Sequence, residues 1–257
     1  MTDLIKTVFE DGVLNVVLNR ADKKNAITQA MYLELTKAIL NARDDDKVRV
    51  VLITAEGKDF SSGNDIADFI SISQGEGKLV GSDVFQFLKA LAEMDKPMVA
   101  GVRGRAVGVG LTMLLHCDMV VVAEDALLSV PFINLALAPE AASTMLLPRT
   151  IGHVRAYEMF ALGEAITGKT AYDWGLANRV VSAAEVDSTA LELAAKLAVR
   201  APNSLRRSKA LMRDAEALWT LMQAEGEVFA SQMQSPEAME AFTAFMQKRA
   251  PDFSAKG

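Results

Sequence analysis

The chain reads as an α/β protein on two observations: short, unbroken apolar runs rich in valine, and stretches of helical period lying between them. In order, residues 13 to 19 alternate Leu14, Val16 and Leu18 against Asn15 and Asn19, the two-residue period of a half-buried strand. Behind Thr28, a suitable helix cap, Met31, Leu35, Ala38 and Ile39 fall at i, i+4, i+7 and i+8 on one face. The runs Arg49 to Thr54, Pro97 to Val102 and Met119 to Ala123 fit strands covered on both sides. Val84, Phe87, Leu88 and Leu91 form a second helical stripe behind Ser82. From about Asp187 strand signals stop. Ala201-Pro202-Asn203-Ser204 marks a helix start, and Leu218, Met222, Phe229 and Met233 lie on one face of a long helix. Periodicity alone fits a doubly wound sheet.

Bulk properties narrow the function. With 257 residues, 51% of them hydrophobic, the chain can bury a large core as one big domain or two unequal ones. The net charge of −6, without a run of five or six like charges or a basic helix, argues against a nucleic-acid partner. Arg206-Arg207 and Lys248-Arg249 could still meet a phosphorylated small molecule. The single cysteine, Cys117, excludes an intrachain disulfide framework and gives no metal spacing. The start, Met1-Thr2-Asp3-Leu4, lacks a cleavable leader, no apolar run approaches the ~20 residues that span a bilayer, and the end is not a Ser-Lys-Leu address. A cytoplasmic location is expected.

Three segments carry chemistry. Asn19-Arg20-Ala21-Asp22-Lys23-Lys24-Asn25-Ala26 follows the first strand, and Phe60-Ser61-Ser62-Gly63-Asn64-Asp65-Ile66 follows the second. Gly104 to Asp118 reads Gly-Arg-Ala-Val-Gly-Val-Gly-Leu-Thr-Met-Leu-Leu-His-Cys-Asp. The last two each pass from a buried-looking strand into a helical pattern. Each can therefore aim a backbone N–H at one shared point, and two such donors make an oxyanion hole. From about residue 5 to Phe253 the chain resembles the crotonase family, also called the enoyl-CoA hydratase/isomerase superfamily. The resemblance implies a crotonase-type spiral of ββα turns over residues 1–195. It also implies a C-terminal helical region, 196–257, that assembles a homotrimer or a dimer of trimers. Matched residue by residue, it puts the two donors at Asn64, after Gly63, and at Val109, between Gly108 and Gly110. Val109 replaces the glycine most often found there.

The family's hydratases use two glutamates to add water to a 2-enoyl thioester. Those positions here hold Thr112 and Phe132, neither of which can activate water as a carboxylate does. A different acid stands in Leu137-Ala138-Pro139-Glu140-Ala141-Ala142-Ser143, similar to the Pro-Glu segment of peroxisomal-type Δ3,Δ2-enoyl-CoA isomerases, in which that glutamate is the base. Read alone, without the resemblance, Glu140 is a surface acid in a helix's first turn with Pro139 at N1. An isomerase needs one carboxylate, and Phe132, Leu135 and Leu137 would raise its pKa by desolvation. The resemblance also assigns Lys24, Asn25 and Ala26 to coenzyme A, Ser62, Asp65 and Ile66 to its adenine and pantetheine pocket, and Phe245 and Lys248 to the nucleotide of a neighbouring subunit. Lys24 equally fits a solvated turn, and Asp65 a helix cap. His116, His153 and Cys117 read as structural, and Asp118 as a brace into the next strand. The expected partner is an acyl-CoA thioester. No metal or redox cofactor is implied, coenzyme A being part of the substrate. Rival readings are a hydratase, hydrolase or decarboxylase of the same family, or a silent acyl-CoA-binding subunit.

Overall fold

A computed structural model describes residues 4–65 and 81–254. Strands β1 (Ile5–Glu10), β2 (Val13–Leu18), β3 (Val50–Ala55), β4 (Met98–Val102), β6 (Met119–Ala123) and β9 (Arg179–Val181) form one sheet in the order β1-β2-β3-β4-β6-β9. Strands β5 (Arg105–Val107), β7 (Leu127–Ser129) and β8 (Ile166–Thr167) form a second. In the larger sheet β1 and β2 are antiparallel and the other pairs parallel. The β1–β2 hairpin turns at Asp11-Gly12, both at positive φ, as a twisted two-residue turn requires.

The chain alternates between the sheets. After β3, Ser61 bridges Ala106; after β4 comes β5, and after β6 comes β7. After β2, Ile27 bridges Asn64. Each turn therefore gives one strand to the large sheet and a short segment to the small one, the expected ββα spiral. A doubly wound sheet would keep every strand in one layer.

The helices described are α1 (Gln29–Asp44), α2 (Asp83–Glu93), α3 (Val109–Thr112), α4 (Ser143–Ile151), α5 (His153–Leu162), α6 (Gly168–Asp173), α7 (Val186–Ala198), α8 (Pro202–Met212), α9 (Ala215–Met233) and α10 (Pro236–Gln247). Thr28 caps α1 by accepting from the Met31 N–H, and Met31, Leu35, Ala38 and Ile39 are all buried in the main core. The other face of the sheet has its own small core, in which Val13, Val50, Leu52, Val99 and Val121 meet Ala190, Ala194 and Ala198 of α7. This corrects the half-buried reading of residues 13 to 19: β2 lies between two partner strands and under helices on both faces, so Val16, Val17 and Leu18 are buried in succession.

Beyond β9 the described chain is helical, and Leu218, Met222, Phe229 and Met233 of α9 are buried as their spacing predicts. Gly226 lets α9 approach α2. A Cβ there would stand 2.1 Å from Cζ of Phe85, whose ring packs edge-on against Trp219 at 6.1 Å. Among the described residues no helix is long and apolar enough to cross a membrane.

Candidate active site

The site begins where β3 and β4 pass into the second sheet. Ser61 N–H donates to the Arg105 carbonyl at 2.9 Å, and Val107 N–H donates back to Ser61 at 3.0 Å. The two turns then press together: a Cβ on Gly63 (φ 91°) would lie 2.8 Å from the Val107 oxygen, and one on Gly110 would lie 2.9 Å from the Ser61 oxygen. Only glycine permits this approach. The Gly63 carbonyl accepts from Ile27 N–H at 2.8 Å. Because a trans peptide points its N–H opposite to its carbonyl, the Asn64 N–H faces away from Ile27. Likewise the Gly108 carbonyl accepts from Leu111 and Thr112 inside α3, so the Val109 N–H points out of the helix start.

Thr112, one turn along α3 and fully buried, donates its hydroxyl to Glu140 Oε1 at 2.6 Å. Glu140 is not in the first turn of a helix, because α4 starts only at Ser143. It sits in a turn followed by two left-handed alanines, Ala141 and Ala142. The residue is partly exposed while its carboxyl is enclosed by protein. Desolvation pushes its pKa up from 4.5 to about 7; the Thr112 hydrogen bond opposes the rise and the charge of Glu225 adds to it. Tyr32 of α1, buried with its ring tilted against Phe87 at 5.5 Å, donates its hydroxyl to Asn64 Oδ1. Burial, and then the field of Glu140, hold the Tyr32 pKa well above its usual value. The fold thus gathers Asn64, Val109, Thr112, Glu140 and Tyr32, drawn from four separate segments of sequence.

The remaining expected residues divide. Lys24 is exposed with its carbonyl accepting from Ser62 N–H at 2.9 Å, so the two loops assigned to coenzyme A lie against each other, with Ala26 beside them. Asn25 is fully buried, and its side chain is spent inside the protein: it accepts from Arg20 N–H at 2.7 Å and donates to the Glu56 and Asp59 carbonyls at 2.9 and 2.8 Å. Asp65 pairs with Arg20 Nη1 at 2.6 Å, and the same nitrogen donates to the Ala26 carbonyl at 3.0 Å. Ile66 lies outside the described residues. Phe245 and Lys248 are exposed at the end of α10, outside this cluster.

His116 is buried, and burial together with Arg213 brings its pKa down to about 3, consistent with a neutral structural ring. Burial pushes the Cys117 thiol up to about 12, unsuited to a nucleophile. Exposed His153 stacks on Tyr157. Asp118, expected to brace the turn into the next strand, instead holds the start of β4 with its side chain, accepting from Met98 N–H at 2.7 Å. Among the described residues no three His, Cys, Asp or Glu side chains are grouped to hold a metal.

Sequence reasoning missed Tyr32, Arg20 and Glu225. A signal existed for the last: Glu225 falls on the Leu218, Met222, Phe229, Met233 stripe, seven residues after the first, and an acid on an apolar stripe is seldom idle. Nothing local marked Arg20, whose partner is 45 residues away.

A spiral of ββα turns with two abutting glycine turns and one enclosed carboxyl defines a class of enzyme, and the comparisons agree with it. Residues 8–256 match the family model described as Enoyl-CoA hydratase/isomerase. Enoyl-CoA delta isomerase 2 of Rattus norvegicus is 34% identical over 95% of this chain and 64% of its own length. A probable enoyl-CoA hydratase of Bacillus subtilis (strain 168) is also 34% identical, over 89% of this chain and 90% of its own. The crystal structure of an enoyl-CoA hydratase/isomerase from Pseudoalteromonas atlantica T6c superimposes with a TM-score of 0.92 at 38% identity, covering 98% of this chain and 100% of that one. The chain belongs to the enoyl-CoA hydratase/isomerase, or crotonase, family of acyl-CoA enzymes. Its relatives include both isomerases and hydratases, so the choice of reaction rests on the site.

Proposed function

We propose that the protein is a Δ3,Δ2-enoyl-CoA isomerase, akin to the peroxisomal type, that moves the double bond of a 3-enoyl-CoA to the 2-trans position in fatty-acid β-oxidation. One observation carries the reading: the enclosed Glu140 carboxyl, with a pKa near 7, hydrogen-bonded to Thr112 at 2.6 Å where a hydratase would have its own glutamate. Glu140 as carboxylate removes the proton from C2. The C–H electrons become the C1–C2 enolate, with the negative charge on the thioester oxygen held by the Asn64 and Val109 N–H groups. Each such donor supplies roughly 2.7–4 kcal/mol of transition-state stabilisation. The same carboxylic acid then returns its proton to C4 as C2=C3 forms and C3=C4 disappears, so nothing is gained or lost overall. A pKa near the working pH suits a group that both takes and gives a proton.

In this reading Lys24, Asn25, Ala26, Ser62, Gly63, Asp65, Ile66 and Gly108 line the coenzyme A path. Asn25 contributes through its backbone, and Asp65 by anchoring Arg20. Residues 196–257 form the trimerisation region, which brings Phe245 and Lys248 to a neighbouring subunit. The exposed apolar side chains Leu211, Met212, Met239, Phe245 and Met246 favour such burial. The route needs no metal or redox cofactor and suits a cytoplasmic enzyme. The test offers 3-enoyl-CoA and 2-enoyl-CoA separately. Conversion of the first without hydration of the second, lost in Glu140→Gln, is expected. Hydration of the second at comparable rate refutes the reading, and a silent binding subunit would convert neither.

A further inference from the structure

Ala141 and Ala142, directly after Glu140, hold φ of 62° and 55°, a region that alanine enters only when its surroundings enforce it. Two buried groups do so. On one side His116 Nε2 lies 2.8 Å from the Ala141 carbonyl. Since Arg213 donates to His116 Nδ1, the ring proton sits on Nε2 and is donated to that carbonyl. On the other side Glu225, 6% exposed on α9, accepts from Ala142 N–H at 2.6 Å, from Thr144 N–H at 3.1 Å and from the Thr144 hydroxyl. Those amides open α4 and have no acceptor within it, so Glu225 serves as its cap from across the fold.

A serine or aspartate at position 142 would cap α4 locally. A buried carboxylate is costly by comparison, but it does something a local cap cannot: it fixes where the turn stands relative to α9 and the core. We propose that Glu225 is a positioning residue for the base, holding the Glu140-Ala141-Ala142 turn in the conformation that sets the Glu140 carboxyl against Thr112. The inference rests on reading Glu140 as the base.

Steady-state kinetics with a 3-enoyl-CoA, run beside backbone amide exchange over residues 141–145, test it. Glu225→Gln keeps length and volume but leaves one accepting oxygen, so the Ala142 bond is lost and the turn shifts. The expected result is a fall in kcat of roughly 100-fold, with KM within about twofold and faster exchange at Ala142. Thr144→Val, at an exposed position, removes a single donor and serves if Glu225→Gln does not fold; it lowers kcat by roughly tenfold, and Thr144→Ser restores it. Unchanged kcat in these variants while Glu140→Gln abolishes turnover overturns the proposal, as does unchanged exchange at Ala142 and Thr144. If Glu140→Gln turns over like the wild type, the proposed function falls instead, and amide exchange alone decides whether Glu225 holds the turn.

Discussion

Thr112→Val isolates the interaction that opposes desolvation at Glu140. The change preserves shape and deletes the hydroxyl that donates to Oε1 at 2.6 Å. A hydrogen bond to an ionised group contributes about 1.5–3 kcal/mol. The protonated acid retains part of that, so roughly 1.4 kcal/mol is lost by the charged form alone, which corresponds to about one pKa unit. Glu140 then titrates near 8 in place of about 7. Because the base must be ionised, kcat/KM rises with pH through this value in the free enzyme. At pH 7 the ionised fraction drops from about one half to about one tenth, so kcat/KM falls roughly fivefold there, while the alkaline plateau changes little. A pH profile of kcat/KM from pH 5 to 10 on a 3-enoyl-CoA measures both quantities. A midpoint that stays put or moves to lower pH refutes the reasoning.

Two further variants probe stability. The Glu140 pKa of about 7 lies above its ordinary 4.5, so the folded state prefers the protonated carboxyl; that contribution is fully present below pH 4.5 and is lost as pH rises through 7. Glu140→Gln, always neutral, should therefore gain on the wild type between pH 4.5 and 7 and keep a margin of about 1–3 kcal/mol above it. Urea denaturation at pH 4.5 and 8 checks this, and a difference independent of pH contradicts it. Gly226→Ala places a methyl 2.1 Å from the Phe85 ring and should cost about 1–3 kcal/mol by overpacking, seen as a lower denaturation midpoint at unchanged slope; wild-type stability would show that α9 moves away freely.

Much of the fold was legible because its signals are local. Arg49 to Thr54, Pro97 to Val102 and Met119 to Ala123 each became a central strand, offset by at most a residue, because a segment buried on both faces must be apolar at every position. Thr28 capped its helix, and Gly63 beside Asn64 and Gly110 beside Val109 announced a close backbone approach. The strand β1 gave no such signal: it is an edge strand with Val8 and Phe9 about half exposed, although Asp11-Gly12 could have marked its hairpin. The single-residue bridges at Ile27 and Ser61 were too short to leave a period.

What the sequence determined by itself is the order of the central strands and of the apolar-striped helices, the two glycine turns and the isolation of Glu140 as an acid amid apolar residues, since each depends on neighbours within a turn or two. Only the tertiary structure decided that Thr112 meets Glu140 across 28 residues, that Tyr32 reaches Asn64 across 32 and that Glu225 reaches Ala142 across 83. Such contacts follow from how ββα turns stack, and no local period encodes the distance between two side chains on different turns of a spiral.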